Sequence, residues 1–186
     1  MRIVVGGLAA LLSLAPVNEA IAEWRRISCS DAMATVDLSG HPTATLDCAR
    51  FVTKGKRAFT VDALSATFEA GGGLAIYANR LDGEAGWGKL NDPKQVLEGL
   101  NPAIARLAKD WSEPETLDLG DRSYLIQRFL LPARNGLDDC LAGSAPEGKI
   151  GEFGFKVALT IMICTPETMS LEERHEWLGR ATIRNG

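Results

Sequence analysis

Four cysteines, Cys29, Cys48, Cys140 and Cys164, restrict what this chain can fold into, because the segment ahead of them points to an oxidising compartment where they pair. Met1-Arg2 is a short positive start, and Ile3 to Leu14 is an uncharged, mostly apolar run. Pro16 and Asn18 break that run, and Ala20-Ile21-Ala22 fits the small-x-small rule for a signal-peptidase site. This order predicts a signal peptide over residues 1–22, with the cut before Glu23 and a periplasmic or secreted product. The apolar run is shorter than the roughly 20 residues that span a bilayer. No cysteine stands at the predicted cut, so neither a lipid anchor nor a transmembrane anchor is expected after cleavage.

Four cysteines allow three connectivities, among which sequence alone does not choose. The expected pairing is Cys29–Cys48 with Cys140–Cys164, since each pair closes a short segment within one local unit. Crossed pairs would need the N-terminal segment to lie beside the last long strand. Each local closure would stabilise the fold by about 3 kcal/mol on the loop-entropy model. The rival readings are a metal site or redox-active thiols. The chain holds no C-x-x-C, and only two histidines, His41 and His175, could assist a zinc site. Structural disulfides, no metal and no cofactor are therefore expected.

The remainder, residues 23–186, has the length of one ordinary domain and can bury roughly 70% of its unfolded surface. The formal charge of −4 argues against nonspecific nucleic-acid binding, which needs clustered lysine and arginine. The densest basic stretch, Lys54-Gly55-Lys56-Arg57, reads as a solvated hairpin tip. The longest apolar run beyond the leader, Val157 to Ile163, suits a buried strand.

Along the chain, Ala34 to Leu38, Thr43 to Thr53, Ala58 to Phe68 and a segment from Leu74 read as short strands separated by turns, the last turn at Gly71-Gly72-Gly73. Asp92-Pro93 opens a helix whose apolar stripe is Val96, Leu97, Leu100, Ile104, Leu107 and Trp111. Asn101-Pro102 interrupts it, which predicts a kink or two successive helices, with Leu100 and Ile104 buried against the sheet. Ser123 to Leu131 and Phe155 to Cys164 read as strong strands. Cys140 to Gly143 reads as a short strand, and Ala145 to Gly154 as a glycine-rich loop. Ser170 and Glu173 form a capping box for a final helix. Strands in runs, with helices segregated from them, predict an α+β class: an antiparallel sheet flanked by two or three helices in one disulfide-stabilised domain.

Motifs that carry chemistry are incomplete. The loop Asp82 to Asp92 holds Asp82, Glu84 and Asp92, but their spacing misses the calcium-loop pattern. Gly148, Gly151 and Gly154 precede a strand, whereas a phosphate loop needs glycines between a strand and a helix. Ser144 lacks the glycine that a nucleophile elbow requires two residues later. His175-Glu176 begins a zinc-protease pattern, yet Gly179 stands where its second histidine should be. Asp138 and Asp139 are adjacent, so on a strand they point to opposite faces.

The C-terminal third has a distinctive order. A strand ends at Arg134-Asn135-Gly136, and Cys140 opens the next strand. A glycine-rich loop follows, then an apolar strand ending at Cys164, Pro166, a Ser-capped helix and a close on Ile183-Arg184. This order resembles a broad group of small exported proteins of Gram-negative bacteria, alphaproteobacteria especially. It is also similar to the PsbP-like α+β sandwich, in which an antiparallel sheet is flanked by helices. The resemblance implies an envelope location and a sandwich fold. That group has no established activity to carry onto residues here.

The functional expectation is an exported, non-enzymatic binding domain that contacts a partner protein, an envelope component or a small ligand. Trp24 and Trp87 are the candidate contact residues, since Trp111 and Trp177 fall on helix faces expected to pack inward. The rivals are a hydrolase using His41 or His175 with carboxylates, and an inhibitory or structural partner of an envelope enzyme.

Overall fold

Two antiparallel meanders joined edge to edge build the molecule. The computed structural model describes residues 23–41, 43–53, 58–82, 86–133, 136–150 and 154–184. The first meander runs through β1 (Arg25–Arg26), β3 (Thr45–Val52), β4 (Phe59–Thr67) and β5 (Gly73–Leu81), with β2 (Ala34–Val36) leaving it early. Helices α1 (Pro93–Leu100) and α2 (Pro102–Leu107) follow. The second meander is β6 (Glu115–Leu119), β7 (Arg122–Ala133), β8 (Gly136–Ile150) and β9 (Gly154–Thr165). Helix α3 (Leu171–Gly179) and β10 (Ala181–Ile183) close the chain. Pairing of β5 with β9 gives one eight-stranded sheet in the order β1-β3-β4-β5-β9-β8-β7-β6, and β10 pairs with β2 in a separate ribbon. Every strand pairing among the described residues is antiparallel.

The seam strands are covered on both sides, which is why they read as near-continuous apolar runs instead of alternating ones. Gly73 to Ala78 of β5 and Leu159 and Ile161 to Cys164 of β9 are buried. The outer strands β1 and β6 are short and expose charges, Arg25 and Arg26 at one edge and Glu115 and Asp118 at the other. Charged, short edges resist pairing with other chains.

Helices α1 and α2 cover one face, over Val61, Ala75, Tyr77, Phe129, Ala142 and Met162. Helix α3 and the β2–β10 ribbon cover the other, over Leu64, Ile76, Leu141, Leu159, Ile161 and Ile163. The fold is therefore the expected α+β domain, an antiparallel sheet between helical layers. Both expected disulfides form, one toward each face. Cys29–Cys48 fastens a 3-10 turn (Cys29–Asp31) to β3 on the ribbon face. Cys140–Cys164 joins directly opposed residues of β8 and β9 on the helix-pair face.

The stripe after Asp92 forms two helices, divided at Asn101. The Asn101 side chain accepts from Ile104 N and caps the second helix. Leu97 and Ile104 are buried, Leu100 is half-buried, and Leu107 is 55% exposed. The break redirects the stripe, so Leu107 turns away from the sheet, while Trp111, beyond the second helix, stacks on Phe129 with ring centroids 4.1 Å apart. The glycine-rich segment expected as a loop over Ala145 to Gly154 is strand through Ile150. β8 runs unbroken for 15 residues: β7 and β9 both pair with it as far as Ser144, and from Ala145 to Ile150 the pairing with β9 alone outweighs weak local propensity. Two glycines are set by close approach. A Cβ on Gly143 would stand 2.6 Å from Leu178, the side chain that seats α3 on the sheet. Gly72 has φ +76°, and a Cβ there would meet the Cys164 carbonyl oxygen at 2.1 Å.

Candidate functional site

An open concavity lies on the ribbon face. Thr35, Asp37 and Ser39 come from β2 and the turn beyond it, Thr182 from β10, and Glu176 and Arg180 from α3 and its C-terminal end. Together they line an open groove of about 550 Å³. Two devices hold this geometry. The register of the ribbon sets Thr35 directly opposite Thr182, and Asp37 N donates to Arg180 O at 3.0 Å. The capping box at Ser170 and Glu173 starts α3, with both reciprocal bonds made. Arg180 is fixed rather than free. Its Nη1 donates to Ser39 O at 3.0 Å, Nη2 pairs with Glu176, and its guanidinium lies 4.4 Å above the Trp177 ring. The Asp37 carboxylate accepts from Ser39 N at 2.8 Å. Its bonds to Ser39, with Arg180 beside it, hold its carboxyl below the usual aspartate range. The groove thus presents the hydroxyl residues Thr35, Ser39 and Thr182, the Asp37 and Glu176 carboxylates and the Arg180 guanidinium, with Val36 as its one apolar side chain.

Three charged clusters secure the layer that carries the groove. Asp62, wholly buried, takes both arms of Arg50 at 2.6 and 2.7 Å and accepts from Met33 N at 2.6 Å. Asp139 accepts from Arg128 at 3.2 Å and from Met169 N at 3.0 Å, with Arg174 at 3.8 Å. Arg122 pairs with Glu147 at 2.6 Å and donates to Ala181 O at 2.9 Å. Burial pushes the Glu147 carboxyl up, against the opposing pull of Arg122.

A second polar feature lies under α1. Ser144 and Thr160, both buried, bond at 2.9 Å across β8 and β9. Thr160 stands opposite Tyr77, whose hydroxyl accepts from Asn101 Nδ2 at 3.2 Å. Burial raises the Tyr77 phenol above its ordinary range. Nearby, Gln127 accepts from Lys94 N at the start of α1 and donates to Ser112 O, both at 3.0 Å.

The residues singled out in the sequence are dispersed over the fold. Trp24 is half-buried and packs on Phe51 with ring centroids 5.4 Å apart. Trp87 is half-buried and donates from Nε1 to Asn79 O at 3.2 Å. His41 stacks on Phe68 at 4.5 Å and lies 5.1 Å from Trp177, beside the groove. His175 lies on α3, with its Nε2 buried and without a partner among the described residues. Neither ring bonds to a carboxylate or hydroxyl among the described residues. Asp138 and Asp139 point to opposite faces, as adjacent strand residues do, and burial raises the Asp138 carboxyl above its usual range. Lys54 to Arg57, Glu84 and Gly151 lie outside the described residues. Among the described residues no group of three metal-ligating side chains converges, and no helix is long and apolar enough to cross a membrane.

Reading the sequence did not single out Thr35, Asp37, Ser39, Thr182 or Arg180. They sit in two segments more than 130 residues apart, joined by the short β2–β10 pairing and by the bonds of Arg180 to Asp37 N and Ser39 O. Thr35 and Asp37 fell in the expected strand and Ser39 at the start of the turn after it, and neither signal names a partner. The chain matches no protein-family model, and neither a curated protein nor a solved structure is detectably similar to it.

Proposed function

We propose that this chain is an exported binding module that holds an extended polar component of the cell envelope, of glycan character, between the β2–β10 ribbon and α3. The observation that carries this reading is the groove. Its volume falls in the range of roughly 300–1,000 Å³ typical of ligand sites. Its lining mixes hydroxyls, two carboxylates and a guanidinium with a comparable share of apolar surface, which matches a ligand that carries hydroxyl and amide or amine groups on an apolar frame, as a sugar chain does. The groove is open, so it suits a chain laid across it better than a small molecule enclosed within it. The signal-like leader and the two disulfides support an oxidising, extracytoplasmic location. The histidine-centred hydrolase has less support, because His41 is occupied by ring packing and His175 by no catalytic partner.

The test is co-sedimentation of the disulfide-intact protein with insoluble envelope glycan. Thr182→Lys, which fills the groove from an exposed strand position, should weaken retention at least about tenfold, equivalent to about 1.4 kcal/mol. Gln95→Lys, exposed on the opposite layer, should leave it unchanged. Equal retention of all three proteins, or none by the parent, would sink the reading. N-terminal sequencing of protein from its native cell should begin at Glu23, and an intact Met1 would remove the envelope location.

A further inference from the structure

The helix-pair face buries more hydrogen-bonding capacity than its own side chains use. Asn79 Oδ1 is shielded from solvent and meets no donor among the described residues. The Tyr77 hydroxyl, two residues earlier on the same side of β5, accepts from Asn101, and no protein acceptor for its own proton stands among the described residues. Both residues line one cavity of about 40 Å³, together with Trp87, Thr160, Val96 and Leu100. Neighbouring polar groups are already committed. Trp87 Nε1 is bound to Asn79 O, and Thr160 Oγ1 to Ser144.

Size and chemistry select the occupant. A water needs roughly 10–15 Å³ of such space and two to four polar partners. The cavity therefore has room for about two or three waters, far below the volume of a metabolite pocket. An anion would face the Asn79 carbonyl oxygen, and a cation would face the Lys89 ammonium, which also lines the cavity. A neutral solute that both donates and accepts satisfies the two free groups together.

We propose that this cavity is an internal hydration site, in which a water donates to Asn79 Oδ1 and accepts from the Tyr77 hydroxyl. The water extends the row Ser144–Thr160 and Tyr77–Asn101 toward the loop that carries Trp87, so that loop, α2 and the sheet share one hydrogen-bonded unit. The test is a crystal structure of the disulfide-intact protein with ordered solvent, repeated under xenon pressure. A density peak at about 2.7–3.2 Å from both Asn79 Oδ1 and Tyr77 Oη is expected, with xenon excluded. Asn79→Leu removes the acceptor and fills the space, and Tyr77→Phe keeps the ring while removing the hydroxyl. Each should lose or displace the peak. If one variant does not fold, the other and the parent structure still decide. A dry cavity, xenon bound in it, an Asn79 amide turned onto a protein donor, or a peak unmoved by the variants would overturn the assignment.

Discussion

The two faces of the sheet attach their covering layers by different chemistry. On the ribbon face most attachments are charged, the buried Tyr124 hydroxyl that donates to Leu178 O at 3.0 Å being a neutral one, and each holds a backbone group of the layer above. Asp62 accepts from Met33 N, Asp139 from Met169 N, and Arg122 donates to Ala181 O. On the helix-pair face the attachments are neutral, with Gln127 receiving Lys94 N and the Tyr77 hydroxyl receiving Asn101. The difference follows from what each layer is made of. Helices satisfy their own backbone except at the ends, and Lys94 N and Asn101 are at ends. The ribbon face is covered largely by short strands and irregular chain, whose N–H and C=O groups must find partners in the sheet. A charged partner makes the stronger bond. That face packs mainly aliphatic side chains with Tyr124 among them, whereas the neutral residues Tyr77, Thr160 and Ser144 are buried on the other.

The largest effect should come from the ribbon face. Asp62→Ala leaves the Arg50 guanidinium and Met33 N without their acceptor and should cost about 3–5 kcal/mol in denaturant unfolding. A loss below about 1 kcal/mol would show that the charged attachment is dispensable and remove the contrast between the faces. The helix-pair face should respond less, and non-additively. Thr160→Val strands the buried Ser144 hydroxyl and should cost about 1–3 kcal/mol, whereas adding Ser144→Ala should recover most of that loss. Two additive losses would mean that the hydroxyls act separately and that the row is not a unit.

The smallest effect concerns Asp138, on the same side of β8 as Cys140. Burial raises its carboxyl, so its folded-state value lies above the unfolded one. Its contribution is therefore most favourable below the ordinary carboxylate range and is lost as pH rises through the raised value. Asp138→Asn should stabilise the protein slightly at neutral pH, and the gap should close in acid. Thermal midpoints at both pH values measure it. A gap that widens in acid would mean that Asp138 is held by a charge partner, as on the other face.

Much of this was legible beforehand, for local reasons. The capping box at Ser170, the break at Asn101-Pro102 and the disulfide pairs each depend on residues close in sequence, and each forms as expected. The misjudged elements are those whose state is set by distant neighbours. Gly148 gave β8 the appearance of a loop, yet pairing with β9 holds it as strand to Ile150. Leu107 fits the helical stripe but is turned outward once Pro102 restarts the helix. The groove went unread because its residues have ordinary polar identities and no spacing among them.

By itself, the sequence determined the α+β class, the four-cysteine pattern and the placement of the strongest strands and helices. These follow from short-range patterns of apolar residues, caps and turns. Tertiary structure decided which strands meet at the β5–β9 seam, which face each helix covers and how β2 and β10 join. Those outcomes depend on contacts between segments tens to hundreds of residues apart. Their free energy comes from burying two apolar faces at once, and no local pattern records which distant surface will complete a given face.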